Sequence, residues 1–341
     1  MKEKIGIIAI GQAGGNIGHL LEQKGFELFY INSSKGDLDT INTDNSKKYH
    51  IKDGLGCAKD RLTAKTLIRE DYKNILDKIQ EKFSNKLFIY LIFSTGGGTG
   101  SGSSPILANF LLEHLEKNVG LITILPSEKD TLQAHINAFE CFQEISKLEK
   151  LGGTFVIDNN TEKNILGINE RFTSLFNKIF DYKEYENIKG NIDEGEILKL
   201  LNTKGMISLG KCGKGESTSK LIHNIKKGIF APLEKDSKIK YLGLFNSINF
   251  DNTLFKKEIG AYIDKFENVS NEETFAILSG LTLPFNRILK MRDKIQNEKN
   301  VITRFADEEN PLDKIGLDFL NNKTEKKEEI KEKEIKLPGT K

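Results

Sequence analysis

The sequence predicts an α/β protein: a parallel sheet with helices on both faces, followed by a smaller mixed α/β region. Short apolar runs alternate with stretches of helical periodicity through the first half of the chain, the pattern of strands joined by crossover helices. A glycine-rich loop, Thr95-Gly96-Gly97-Gly98-Thr99-Gly100-Ser101-Gly102, links the unbroken apolar run Leu87 to Phe93 to a helical pattern from Pro105 to Leu115. The second half alternates again with three short apolar runs, at Met206–Leu209, Tyr241–Phe245 and Phe275–Leu278.

Taken in order, Ile5 to Ile10 reads as a first strand, Asn16 to Lys24 as a short helix and Phe26 to Ile31 as a second strand. Ile68, Tyr72, Ile75, Leu76, Ile79 and Phe83 have helical spacing. Leu87 to Phe93 is the central strand, and Val119 to Leu125 is the next, stopped by Pro126. Leu132, Ile136, Phe139, Ile145 and Leu148 mark a helix, and Phe155 to Ile157 a strand. Ile168, Phe172, Leu175, Phe176 and Ile179 mark a connecting helix between two lobes. Beyond it, helices are expected near Thr218–Ile229 and Leu254–Phe266, between the three later strands, and over Asn286–Gln296. From Asn321 the chain is mostly Lys and Glu, with almost nothing to bury. The expected organisation is 1–165, 166–190 for the connecting helix, 191–285, 286–320 for a C-terminal helix region, and 321–341 for a charged tail.

Composition narrows the function classes. The 341 residues are 38% hydrophobic and 29% charged, as in soluble globular proteins. A net charge of +2 gives no global basic field for wrapping nucleic acid. Cys57, Cys141 and Cys212 lie far apart with no CxxC pair, which fits buried, reduced thiols. The five histidines do not cluster, and no metal-ligand spacing or Ser-His-Asp pattern occurs. The start enters a strand without a signal pattern, and no apolar run approaches the roughly 20 residues of a membrane helix. The expectation is a cytoplasmic protein with no membrane contact.

The glycine-rich loop carries the chemistry. It joins a buried strand to a helix start, where free backbone N–H groups and the helix dipole favour an anion. Residues without a Cβ let a phosphate approach the main chain, and Thr99 and Ser101 add hydroxyls. It is a polyphosphate cradle that needs no lysine. A second loop, Gly11-Gln12-Ala13-Gly14-Gly15-Asn16, follows the first strand. It lacks both GxGxxG and GxxxxGK[ST], and alone it reads as a tight turn with close helix packing rather than as a phosphate loop. Beside the first loop, it can grip the same di- or triphosphate. Gly54-Leu55-Gly56-Cys57-Ala58-Lys59 is either a γ-phosphate contact or a helix-start turn. Asn191-Ile192-Asp193-Glu194-Gly195-Glu196 either polarises a water or binds a cation, or is an acidic helix start favoured by the dipole. Gly210 to Ser217 has the wrong spacing for a phosphate loop and reads as a turn.

Gly96-Gly97-Gly98-Thr99-Gly100-Ser101-Gly102 resembles the signature loop of the tubulin/FtsZ superfamily. Other resemblances follow in order over roughly residues 1 to 280. Gly11-Gln12-Ala13-Gly14-Gly15-Asn16 resembles the first phosphate loop, and Gly54-Leu55-Gly56 the third. Asn32-Ser33-Ser34 stands where FtsZ has Asn-Thr-Asp, so the acid is missing there. Val156-Ile157-Asp158-Asn159-Asn160 resembles the guanine-reading loop. Asn191-x-Asp193-x-x-Glu196 resembles the synergy loop, and Gly205 to Gly210 the strand after it. The chain lacks the FtsZ linker and terminal peptide, and is more similar to the TubZ group, the partitioning tubulins of plasmids and phages.

The resemblance implies a Rossmann-like GTPase domain over 1–165, a central helix, an activation domain over 191–285, a C-terminal helix and a charged tail. It implies GTP/GDP as ligand, with Mg²⁺ on the β/γ oxygens. Gly11, Gln12, Ala13, Gly14 and Asn16, and Gly96, Gly97, Gly98, Thr99, Gly100 and Ser101, would contact phosphate. Asn159 would read guanine, with Asn169, Phe172 or Asn177 as a second base contact. Asp193 and Glu196 would act catalytically on the GTP of the next subunit, with no protein metal site. It implies head-to-tail homopolymer filaments that segregate plasmid or phage DNA, the alternative being an FtsZ-like cell-division ring. The tail, with seven lysines and five glutamates, carries too little charge to bind DNA directly. It is either a solvating, disordered end or, as the resemblance implies, a handle that recruits a DNA-bound adaptor protein.

Overall fold

The computed structural model of the protein describes residues 1–181, 191–245, 250–268 and 273–306. The first half builds β1 (Ile5–Ile10), α1 (Gly11–Glu22), β2 (Glu27–Asn32), α2 (Lys35–Asp39), β3 (Lys48–His50), α3 (Arg61–Glu70), α4 (Tyr72–Phe83), β4 (Phe88–Ser94), α5 (Thr99–His114), β5 (Asn118–Leu125), α6 (Leu132–Ile145), β6 (Gly153–Asp158) and α7 (Ile165–Lys178). The second half adds α8 (Glu194–Asn202), β7 (Gly205–Cys212), α9 (Thr218–Lys226), β8 (Ile239–Phe245), α10 (Asn252–Glu258), β9 (Tyr262–Asn268), β10 (Thr274–Leu281) and α11 (Phe285–Ala306). The expected tail, 321–341, lies outside the described residues, as do 182–190 of the connecting segment and 307–320.

Among the described residues one sheet runs in the order β3-β2-β1-β4-β5-β6-β7-β10-β8-β9. Strands β3 to β7 are parallel, and β10 is antiparallel to β7 and β8. The buried strands are apolar along their whole length because helices cover both faces. On one face, Ile17, Leu21, Phe172, Phe176, Ile197 and Leu200 of α1, α7 and α8 pack against β1, β4 and β6. On the other, Ile68, Ile75, Ile79, Leu107 and Leu111 of α3, α4 and α5 pack against β1, β4 and β5. A third core joins Leu221, Ile225, Phe255, Ile288 and Met291 to β7, β8 and β10. The α7 rings meet the sheet directly: Phe172 and Phe176 lie 5.8 and 5.5 Å from Phe155 between centroids, each such pair contributing about 0.5–1.5 kcal/mol beyond area burial.

Three local expectations are corrected. The helix expected over Leu254–Phe266 stops at Glu258, because Gly260 takes φ +141° and Tyr262–Asn268 pairs with β8 as a strand. The helical stretch from Ile68 to Phe83 is two helices broken at Asp71, whose carboxylate accepts from the Tyr49 hydroxyl at 2.9 Å and Lys52 N–H at 2.8 Å. The helix expected from Pro105 starts six residues earlier, at Thr99, with Pro105 inside it. A proline at this place leaves the Ser101 carbonyl without its helical N–H. Arg61 Nη2 donates to that carbonyl at 3.0 Å and closes the gap.

Candidate functional site

Strand β1 pairs with β2 on one side and β4 on the other, so the strand order reverses between β1 and β4. In open α/β sheets ligands bind outside the carboxyl ends of the strands at such a point. Here a cavity of about 490 Å³ opens there, of a size suited to a small-molecule ligand. Its walls include Gly11, Gln12 and Ala13 after β1, Asn32, Ser34 and Asp37 after β2, and Gly96, Gly97, Gly98, Thr99 and Gly100 after β4. Gly56, Cys57, Ala58 and Lys59 form another wall, and Pro126, Asp130, Asn159 and Ile165 close the far end.

The structure thus brings together Gly11, Gln12, Ala13, Gly96, Gly97, Gly98, Thr99, Gly100 and Asn159 around one space. Gly11 takes φ +71°, a left-handed turn that leads straight into α1. A Cβ on Gly97 would meet nothing within 4 Å, so the backbone there faces open space. Thr99 Oγ1 lies 2.7 Å from Ser33 Oγ. The buried Asn159 Oδ1 has no hydrogen-bond partner, a cost that a ligand donor would remove.

Three of the expected contacts do not line the cavity. Gly14 packs under the loop, where a Cβ would fall 2.3 Å from the Ile92 carbonyl oxygen. Asn16 sits exposed one turn farther along α1. Ser101 is fully buried, and its hydroxyl donates back to the Gly97 and Gly98 carbonyls. Of the three options for a second base contact, Phe172 belongs to the aromatic core. Asn177 is twelve residues beyond Ile165, about 18 Å along α7, and donates to Asp181. Asn169 lies one turn from Ile165 and is 6% exposed.

Sequence reasoning missed the acid. With no Asp at position 34, the carboxylate at this wall comes from Asp37 in the first turn of α2, held by Asn32 Nδ2 at 3.3 Å while Ser34 Oγ caps its N–H at 3.2 Å. A capping serine before a short helix was the available signal. It also missed Asp130, while Lys59, in the loop read as a γ-phosphate contact or a helix-start turn, lines the cavity and reaches Thr131 Oγ1 at 3.1 Å. Among the described residues no group of three His, Cys, Asp or Glu side chains could hold a metal ion. Burial pushes the Cys141 thiol up to about 12 and raises that of Cys212, so neither supplies a thiolate.

Asp193 and Glu196 lie at the opposite edge of the sheet. Glu194, between them, pairs with Lys4, which immediately precedes β1. The cavity begins at Ile10, where β1 ends, and six strand residues span about 20 Å. The two acids form a reciprocal cap on α8: Asp193 Oδ1 accepts from Glu196 N–H at 2.8 Å, and Glu196 Oε2 accepts from Asp193 N–H at 3.0 Å. The acidic-helix-start reading therefore holds for this segment, with Asp193 exposed and Glu196 half-buried.

Residues 4–167 match the Tubulin/FtsZ family, GTPase domain. The chain is 29% identical over 335 residues to the tubulin-like protein TubZ of Clostridium botulinum C phage, covering 95% of this chain and 92% of that one. The crystal structure of Clostridium botulinum phage c-st TubZ superposes with a TM-score of 0.80 at 27% identity, over 88% of this chain and 99% of the other. A GTPγS-form protofilament of Bacillus thuringiensis serovar israelensis TubZ shares the fold, with a TM-score of 0.71 at 16% identity, over 89% and 94% of the two chains.

Proposed function

From the premise that residues 4–167 are a GTPase domain of the tubulin/FtsZ family, we propose that the protein is an assembly-dependent GTPase. GTP occupies the cavity at the β1/β4 switch point, and copies stack head to tail into filaments. The observation that carries this reading is the separation of the two halves of the chemistry. The glycine loops end the strands at one edge, and Asp193 and Glu196 sit at the other, about 20 Å away along β1. Within one chain they cannot meet. In a head-to-tail pair the acidic edge of one copy lies on the glycine edge of the next, and such a heterologous contact propagates when its rotation does not close.

In this arrangement the Gly97, Gly98, Thr99 and Gly100 amides stabilise charge developing on the phosphate oxygens. Asp193 and Glu196 of the docking copy orient the attacking water and accept its proton. Asn159 Oδ1 takes a guanine N–H. Asp37 or Asp130 would help hold a magnesium ion beside the phosphates, where it would supply charge neutralisation. The similarity to TubZ supports a role in segregating plasmid or phage DNA, with 321–341 recruiting a DNA-bound adaptor. Truncating that segment is expected to abolish recruitment and spare polymerisation.

Light scattering and phosphate release across a concentration series test the reading. Turnover per copy should rise steeply at the concentration where scattering appears with GTP, and GDP should not support assembly. GTP cleavage at a constant rate per copy at every dilution, without fibres in the electron microscope, overturns it.

A further inference from the structure

The phosphate loops are held from behind by a side chain that does not itself line the cavity. Asn137, on α6, is 1% exposed. Its Nδ2 donates to the Lys59 carbonyl at 2.8 Å, the Gly97 carbonyl at 3.0 Å and the Gly96 carbonyl at 3.3 Å. Gln133, one turn earlier, donates to Asn137 Oδ1 at 2.9 Å and fixes which way the amide faces. One amide therefore ties the loop after β4 to the loop that precedes α3.

We propose that Asn137 is a positioning residue that sets the triphosphate grip, and with it the preference for GTP over GDP. In a planar trans peptide the C=O of one residue and the N–H of the next point in opposite directions. With the Gly96 and Gly97 carbonyls drawn toward Asn137, and those of Gly97 and Gly98 also held by Ser101, the N–H groups of Gly97, Gly98 and Thr99 are turned the other way. These three residues line the cavity. The second tie acts on strain. Ala58 and Lys59 have φ of +42° and +65°, a left-handed pair that non-glycine residues adopt only when held. The bond to the Lys59 carbonyl holds it. The two loops also touch: a Cβ on Gly98 would fall 3.0 Å from Lys59 N. Asn137 thus fixes both walls relative to each other, while the base-reading end, at Asn159 and Ile165, is built by other elements. A group farther out on the phosphate chain feels the loss more than the base does.

The inference rests on the guanine-nucleotide reading of the cavity, and the test separates the two. Calorimetric affinities of the full chain for GTPγS and GDP, with thermal melting of the nucleotide-free protein, are compared for wild type, Asn137→Ala and Gln133→Ala. Gln133 is exposed, so its loss spares the core. Asn137→Ala is expected to weaken GTPγS by about tenfold, the equivalent of one to two lost hydrogen bonds, and GDP by about threefold at most, so that the ratio of the two falls. Gln133→Ala should shift that ratio in the same direction by a smaller factor, with the melting temperature of the nucleotide-free protein unchanged. A purely structural role lowers melting and leaves the ratio as in wild type, which overturns the inference. If Asn137→Ala does not fold, an unchanged ratio in Gln133→Ala overturns it alone. Failure of the wild-type protein to bind either nucleotide overturns the reading of the cavity instead.

Discussion

Arg287 closes on Asp158: Nε stands 2.8 Å from Oδ2 and Nη2 3.1 Å from Oδ1, with both side chains about 95% buried or more. Nη2 also donates to the Pro126 carbonyl at 2.8 Å. The pair ties α11 to the end of β6, one residue before Asn159, and to the loop after β5. Two segments that wall the cavity are thus held by a residue far away in sequence.

Breaking this pair leaves a carboxylate buried without its partner. Arg287→Ala is expected to cost about 3–5 kcal/mol of stability, read from urea unfolding. Nucleotide present in excess should recover part of the loss, because binding favours the folded state. Arg287→Lys retains the charge but not the two-pronged geometry and should fall between. A variant as stable as wild type would show that the pair is not holding α11 in place.

The glycines of the loop differ in what a methyl group would meet. Gly97→Ala adds a Cβ with nothing within 4 Å, whereas on Gly98 it would lie 2.9 Å from Cys57 Cβ and 3.0 Å from the Lys59 backbone. Gly97→Ala is therefore expected to melt as wild type but bind GTP more weakly. Gly98→Ala should lose about 1–3 kcal/mol through overpacking. Melting curves with and without GTP separate them, and equal melting losses in both variants would contradict the assignment.

The Asp193–Glu196 cap makes alanine an ambiguous probe, since removing a cap costs about 1 kcal/mol on its own. Glu196→Gln keeps the acceptor that bonds Asp193 N–H and removes only the charge. If Glu196 acts on the neighbour's nucleotide, this variant assembles with GTP, melts as wild type, and releases phosphate at least tenfold more slowly, as for loss of a general base. Wild-type phosphate release per polymerised copy would confine Glu196 to capping.

His135 is 1% exposed, and its Nε2 lies 3.1 Å from Lys294 Nζ. Burial, then the Lys294 and Arg287 charges, hold its pKa below the usual value, with Asp130 opposing. The folded state therefore binds fewer protons than the unfolded one below about pH 6.5. Stability should fall as the pH drops from there toward the lowered folded value, and level off below it. His135→Asn should flatten that part of the profile in denaturant titrations between pH 5 and about 7.5. An unchanged slope would exclude His135 as its source.

Much of the cavity was legible in the chain because its parts are local. Gly96 to Gly100 and Gly11 to Ala13 each follow an apolar run and open a helix, so strand, turn and helix start could be read from neighbouring residues. Asn159 was found only through the resemblance of Val156-Ile157-Asp158-Asn159-Asn160 to the family's guanine-reading loop. The strand β9 was not legible, because its pairing with β8 is made by residues some twenty positions apart, and Leu254 to Phe266 satisfies helical spacing as well as strand alternation. Asp37 was missed because it lies three positions beyond Ser34, where the resemblance places the acid, and both line the cavity.

Local patterns in the chain sufficed for the α/β class, the two glycine loops and the acidic segment, since each is a matter of backbone freedom, periodicity or charge within a few residues. It took the folded chain to show that Asn137 grips both loops, that Arg61 answers the carbonyl that Pro105 leaves free, and that Asp193 and Glu196 stand a strand's length from the cavity. Those relations join residues 40 to more than 180 positions apart. Hydrogen bonds and opposed sheet edges depend on how strands align in space, which no local spacing encodes.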